Sequence, residues 1–224
     1  MPFFTLETDP IGTRALWQLT ENDEQLEALC AGLPLGNGEG LWVEACQRFR
    51  APARRAQWVA ARLLLSRLGL PPTSIAYLPS GRPIVRISQD TAPQSLMPHE
   101  VSISHTHGYV AVIVSDNPVG IDIEQIGPRV HRVASRFIDP ATLPADLNFD
   151  ELTRYLLLHW SAREAIFKCL DLPGVDFREH LHIHPFTLQS AGTMQAWETR
   201  TDERRQYAVA YRVEQDFVLT WCKG

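Results

Sequence analysis

Apolar positions 58, 61, 65 and 68 recur at three- and four-residue steps, which predicts a helix over 52–68 with one apolar face. Pro52 suits its first turn, and Gly69, Pro71 and Pro72 end it. A longer helix is predicted over 151–170, with Leu156, Leu157, Ile166, Phe167 and Leu170 on its more apolar side. Short runs bounded by turn residues predict strands at 3–8, 13–19, 74–78 and 84–87, with a Pro- and Gln-containing loop after them. Residues 101–104 and 109–115 read as a hairpin around a Ser-His-Thr-His-Gly turn. A strand at 119–124 follows, and four more are expected near 180–188, 193–199, 205–213 and 216–222. The remaining helical signals are weaker. One helix starts at Thr20 with acidic residues in its first turn and stops near Gly32, a short one covers 41–49, and a third covers 129–138 before Pro140. Gly36 to Gly40 reads as a flexible joint, and 141–149 as a loop.

Each half of the chain thus runs from a helix with an apolar face into several strands, with a break at Asn117-Pro118. The expected fold class is α+β, in two pseudo-symmetric subdomains, 1–116 and 117–224, each a small sheet packed against a long helix. With 224 residues, 45% of them apolar and 21% charged, the chain is ordinary for a folded protein. A net charge of -5 gives no reason to expect nucleic acid, although Arg48, Arg50, Arg54, Arg55, Arg62 and Arg67 can make one cleft locally positive. The cysteines at 30, 46, 169 and 222 form no Cys-x-x-Cys pair, which removes zinc-knuckle and thioredoxin-type readings. No basic leader and no stretch approaching eighteen apolar residues is present, so the expectation is a cytoplasmic protein without a membrane span.

The strand Val119-Gly-Ile-Asp-Ile-Glu124 changes the picture. Alternation puts Asp122 and Glu124 on one face and Ile121 and Ile123 on the other. Two carboxylates side by side on an apolar strand repel unless a cation or basic groups compensate. Oxygen ligands of this kind suit Mg²⁺. On the long helix, Trp160, Glu164 and Lys168 share a face at steps of four. By spacing alone, each of these motifs is also compatible with solvated acids and a surface ion pair.

Three further patterns bear on phosphate and metal chemistry. Ser104 and His105 are adjacent on a strand and diverge, so they make a poor nucleophile–base pair, and no Gly-x-Ser-x-Gly occurs. A histidine at a hairpin turn can instead donate to phosphate, and Gly81-Arg82-Pro83 is a tight turn carrying a cation that binds phosphate well. No glycine-rich phosphate loop is present, so phosphate would be held by side chains and metal. His180, His182 and His184 alternate as a zinc site would, but neighbouring Arg178 and Glu179 favour a solvated strand face.

Taken in order, Gly81-Arg-Pro83, Val101-Ser-Ile-Ser-His105, Val119-Gly-Ile-Asp-Ile-Glu124 and Trp160-Ser-Ala-Arg-Glu-Ala-Ile-Phe-Lys168 resemble the 4'-phosphopantetheinyl transferase superfamily, in its long two-subdomain class. Arg54 to Arg62 is a looser fifth match. The resemblance implies that Asp122, Glu124 and Glu164 hold Mg²⁺, with Mn²⁺ as an acceptable substitute. It implies that Lys168, His105 with Ser104 beside it, Arg82 and Arg62 contact coenzyme A. The N-terminal subdomain would then supply phosphate contacts, and the C-terminal one metal ligands and carrier-protein contacts around 140–149. Two departures stand out: Val101-Ser102 replaces phenylalanine–asparagine, and Arg163 replaces the lysine before the helix glutamate. Both are expected to bear on substrate fit.

The implied reaction is attack by a serine hydroxyl of an apo-acyl or peptidyl carrier protein on the β-phosphorus of coenzyme A, releasing adenosine 3',5'-bisphosphate. Glu164, or water held on the metal, would accept the proton. Ligation should lower the pKa of Glu164. A donor bridging both subdomains would lie between them, which implies a working monomer. Two rival readings remain at this stage: another metal-dependent phosphotransferase or phosphohydrolase, and a catalytically silent protein that binds carrier or coenzyme A.

Overall fold

A computed structural model describes residues 3–33, 38–86 and 100–224. The chain divides into two compact units, Met1–Asp116 and Asn117–Gly224. The joint expected at 36–37, the end of the strand predicted to reach 87, and the loop beyond it lie outside the described residues.

In the first unit, β1 (Phe3–Thr8), β2 (Thr13–Gln18), β3 (Ile75–Tyr77), β4 (Pro83–Val85), β5 (Glu100–Thr106) and β6 (Tyr109–Ser115) form one sheet in the order β1-β2-β6-β5-β4-β3. All neighbours are antiparallel. Helix α3 (Pro52–Arg67) packs against β2 and β6, and α1 (Asp23–Ala31) and α2 (Gly38–Arg48) pack against each other and α3. The first helix begins one turn later than Thr20, because Asn22 caps it and Gln25 returns the bond to complete a capping box. Gly38 and Gly40 belong to α2, so the joint predicted as far as Gly40 is shorter. The packed face of α3 is wider than the predicted stripe: every residue from Trp58 to Leu65 is buried, Arg62 included. The hairpin β5–β6 is also longer than predicted. Gly108, at φ +76°, closes a two-residue turn, so pairing continues to Thr106 opposite Tyr109. His105 therefore sits in a strand and not in the turn.

The second unit holds β7 (Val119–Gln125), β8 (Leu181–Ile183), β9 (Ala191–Glu198), β10 (Gln206–Val213) and β11 (Phe217–Lys223), antiparallel in the order β7-β11-β10-β9-β8. Helix α4 (Phe149–Leu170) lies on this sheet against β7, β11 and β10. Asn148 and Glu151 form its capping box, and Asp150 and Glu151 complement the positive end of the helix. The predicted 129–138 helix is instead two short 3-10 turns, Pro128–Arg132 and Ala134–Arg136. The branched Val130 and Val133 disfavour a longer α-helix there. Each unit is thus a sheet with a long helix packed on it. No described helix is long and apolar enough to cross a membrane.

Candidate functional site

Strand β7 is almost wholly buried, from Val119 to Ile123, and Asp122 is only 4% exposed. Gly120, Asp122 and Glu124 share the face towards α4. At Gly120 the approach is so close that a Cβ would meet the carbonyl oxygen of Ala165 at 1.8 Å. That contact sets the register in which α4 presents its polar face. Lys168 Nζ donates to Asp122 Oδ1 at 2.9 Å and to the Ile121 carbonyl at 2.8 Å. Trp160 Nε1 donates to Glu124 Oε1 at 2.7 Å. Ser161 Oγ bonds Thr220 Oγ1 at 2.8 Å, and so ties the helix to β11 beneath the acids.

The three acids feel one another. Burial, then Asp122, pushes the Glu124 carboxyl up to about 7; the Trp160 bond and Lys168 work the other way. Glu164 is also raised, by burial first and by Asp122 second. The lowering expected of a metal ligand belongs to the cation-bound state. Without that charge, burial and like-charge repulsion dominate. Oxygen donors that repel one another suit a hard divalent cation, so the donor set fits Mg²⁺ or Mn²⁺ chemically. As the side chains stand, no three His, Cys, Asp or Glu groups among the described residues are gathered as a finished metal cage. Lys168 provides the compensating charge at Asp122.

Behind this face α4 carries a second polar group that sequence reasoning assigned to substrate fit. Arg163 is buried. Its Nε donates to the carbonyls of Phe177 at 2.9 Å and Leu181 at 3.1 Å, and its Nη1 to the His159 carbonyl at 2.9 Å. It therefore holds the 171–181 segment to the helix from inside. Ser102 is likewise buried, at 3% exposure, so both departures act on the interior. His159 Nδ1 lies 3.1 Å from Arg163 Nη1, and its Nε2 finds no hydrogen-bond partner among the described residues. Burial, then the Arg163 charge, lowers its pKa well below the usual 6.5. A depressed histidine contributes stability above its unfolded pKa and loses it as pH falls, because only the unfolded chain then takes up the proton. The wild type should lose stability from this group as pH falls below 6.5, by at most about 1.4 kcal/mol per pH unit. His159→Gln should lack that component when urea melts at pH 7 and pH 5 are compared. Equal pH sensitivity in the two proteins would contradict the assignment.

In the first unit, Arg48, Arg54, Arg62 and His105 line a cavity of about 350 Å³ with Phe49, Trp58 and Tyr77. Arg62 lies with Cζ 3.4 Å from the centre of the Trp58 ring and donates to the Trp58 carbonyl at 3.2 Å. Burial lowers its pKa, against support from Tyr77. Arg54 Nη1 and His105 Nε2 are 3.4 Å apart. Arg82 is turned to Glu100, with which it is ion-paired, while its neighbours Gly81 and Pro83 border the cavity. Ser104 is buried beside exposed His105, as strand alternation requires. The structure thus brings Arg62 and His105 to one cavity, and Asp122, Glu124, Glu164 and Lys168 to one helix–strand face. Trp160 was visible in sequence only as a residue sharing that face, and its bond to Glu124 spans thirty-six positions. The histidine run makes no common centre: His180 Nδ1 accepts from the Asp176 N–H, whereas His182 and His184 both lie against Trp197.

Residues 118–222 match the profile of the 4'-phosphopantetheinyl transferase superfamily. The chain is also similar to a 4'-phosphopantetheinyl transferase of Bacillus subtilis, 36% identical over 70 residues. That stretch covers 30% of this chain and 31% of the relative, so the match spans about a third of the relative's length.

Proposed function

We propose, from the match of residues 118–222 to the 4'-phosphopantetheinyl transferase superfamily, that the chain transfers the phosphopantetheine arm of coenzyme A to a serine of an apo-carrier protein. The reading is of the holo-[acyl-carrier-protein] synthase type, with Mg²⁺ as cofactor and adenosine 3',5'-bisphosphate as the second product. One observation carries it. Asp122 and Glu124 on β7 face Glu164 and Lys168 on α4, within electrostatic reach of one another and in a largely buried setting.

Asp122, Glu124 and Glu164 would hold the cation, which when bound neutralises pyrophosphate charge and polarises the phosphorus under attack. Glu164 would accept the serine proton, as a largely buried carboxylate beside Asp122 and Lys168. Lys168 holds Asp122 in place and offers an ammonium beside the acids for the phosphate charge. In the first unit, Arg48, Arg54, Arg62 and His105 supply a concave cationic surface of the kind phosphate groups occupy, and Trp58 and Phe49 give it apolar walls. Near the start of α4, Phe149 is 62% exposed and stacks on His131 at 4.7 Å. With exposed Arg129, Arg132 and Arg136 close by in sequence, it offers an apolar, basic surface for the carrier protein.

The deciding experiment incubates the protein with coenzyme A, Mg²⁺ and several apo-carrier proteins, and reads intact mass. One phosphopantetheine arm on one serine is the expected product. Release of inorganic phosphate with no mass added to any carrier would overturn the reading in favour of a phosphohydrolase. Retained coenzyme A binding with neither product would identify a silent binding protein.

A further inference from the structure

We infer that Trp160 is a positioning residue for the acidic cluster: its indole N–H holds one oxygen of Glu124 so that the other is presented to the divalent cation. The inference rests on the reading above, that Asp122, Glu124 and Glu164 hold such a cation. The bond from Nε1 to Glu124 Oε1 is 2.7 Å, short for N–H···O, as expected for a carboxylate acceptor. With Oε1 held, Glu124 is fixed in rotation, and Oε2 is the oxygen the indole leaves open to the cation.

The indole is itself held in place. Its ring packs against Phe137 at 5.5 Å and Phe177 at 5.3 Å, both tilted. Phe137 is fully buried. Phe177 also packs on Phe167 at 5.7 Å, and its carbonyl accepts the Arg163 Nε bond at 2.9 Å. A line of contacts therefore runs from the buried Arg163, through the Phe177 segment and the indole, to Glu124. Each member restricts the next, which is how the surroundings of a metal ligand normally set its orientation. A tryptophan that merely filled space would need the ring contacts but not the N–H.

Trp160→Phe separates these roles, because it keeps an aromatic ring between Phe137 and Phe177 and removes the donor. The measurement is Mn²⁺ affinity of the full chain, followed by electron paramagnetic resonance without coenzyme A. The substitution is expected to weaken Mn²⁺ binding about 10–100-fold, the usual effect of losing a group that orients a metal ligand. Transfer by the variant should recover at correspondingly higher Mn²⁺. Phe177→Leu, which leaves the N–H but loosens the ring, should weaken binding in the same direction by less. It decides the matter if Trp160→Phe does not fold. Unchanged Mn²⁺ affinity in the folded variants overturns the positioning role, as does lost transfer that excess Mn²⁺ does not restore. Failure of the wild type to bind Mn²⁺ at millimolar concentration overturns the cation-site reading itself, which distinguishes the two failures.

Discussion

Glu164→Gln is expected to lower arm transfer about 10²–10⁴-fold, the range for loss of a general base, while the protein melts at the same temperature or higher. The stability half of this outcome follows from the cluster. Glu164 is raised in pKa by burial and by Asp122, so its negative charge is disfavoured where it stands. A neutral amide of the same shape removes one member of a repelling trio. The loss should fall equally on kcat and kcat/KM if Glu164 acts only in the transition state. A cation titration then divides its two proposed roles. Recovery at excess Mg²⁺ would reduce Glu164 to a ligand, whereas persistent loss at saturation would leave it as the base. A folded Glu164→Gln protein that transfers within about threefold of wild type would remove it from both roles.

How far these residues could be read from sequence depends on how local their partners are. The same-face placement of Asp122 and Glu124 is a property of any strand, and the alignment of Trp160, Glu164 and Lys168 is a property of any helix, so both were legible. The two-sheet α+β architecture was legible for the same reason. What periodicity cannot supply is the partner across space. Arg82, expected on phosphate, is ion-paired with Glu100, which comes eighteen positions later on the neighbouring strand. Arg163 gave the helical signal of any charged side chain on a surface helix, yet its guanidinium meets three backbone carbonyls from the interior. The Ser-His-Thr-His-Gly run reads as loop and so puts His105 in a turn, whereas Gly108 shortens that turn to two residues. The 129–138 segment forms short 3-10 turns where the branched Val130 and Val133 disfavour a continuous α-helix.

Gly120→Ala should be the most damaging small substitution on β7, lowering stability by about 3 kcal/mol or more and transfer by about 10²-fold. The added methyl would sit 1.8 Å from the Ala165 carbonyl oxygen and 2.7 Å from its carbon, both backbone atoms that no rotamer change can move. Relief to the 3.4 Å of ordinary contact requires helix and strand to part by about 1.6 Å. Glu164 precedes Ala165 directly, and Lys168 reaches Asp122 and Ile121 through bonds of 2.9 and 2.8 Å that such a shift would break. The same methyl therefore acts twice, once on packing and once on the distance between the acids of β7 and Glu164. Gly40→Ala is the matched control, since its methyl meets nothing within 4 Å in a helix where alanine is the better residue. Urea melts and transfer assays on both variants test the argument. A Gly120→Ala protein with wild-type stability would mean that the close strand–helix approach is not what sets the geometry of the acidic face. Wild-type transfer despite lost stability would mean that the chemistry tolerates a displacement of this size between β7 and α4.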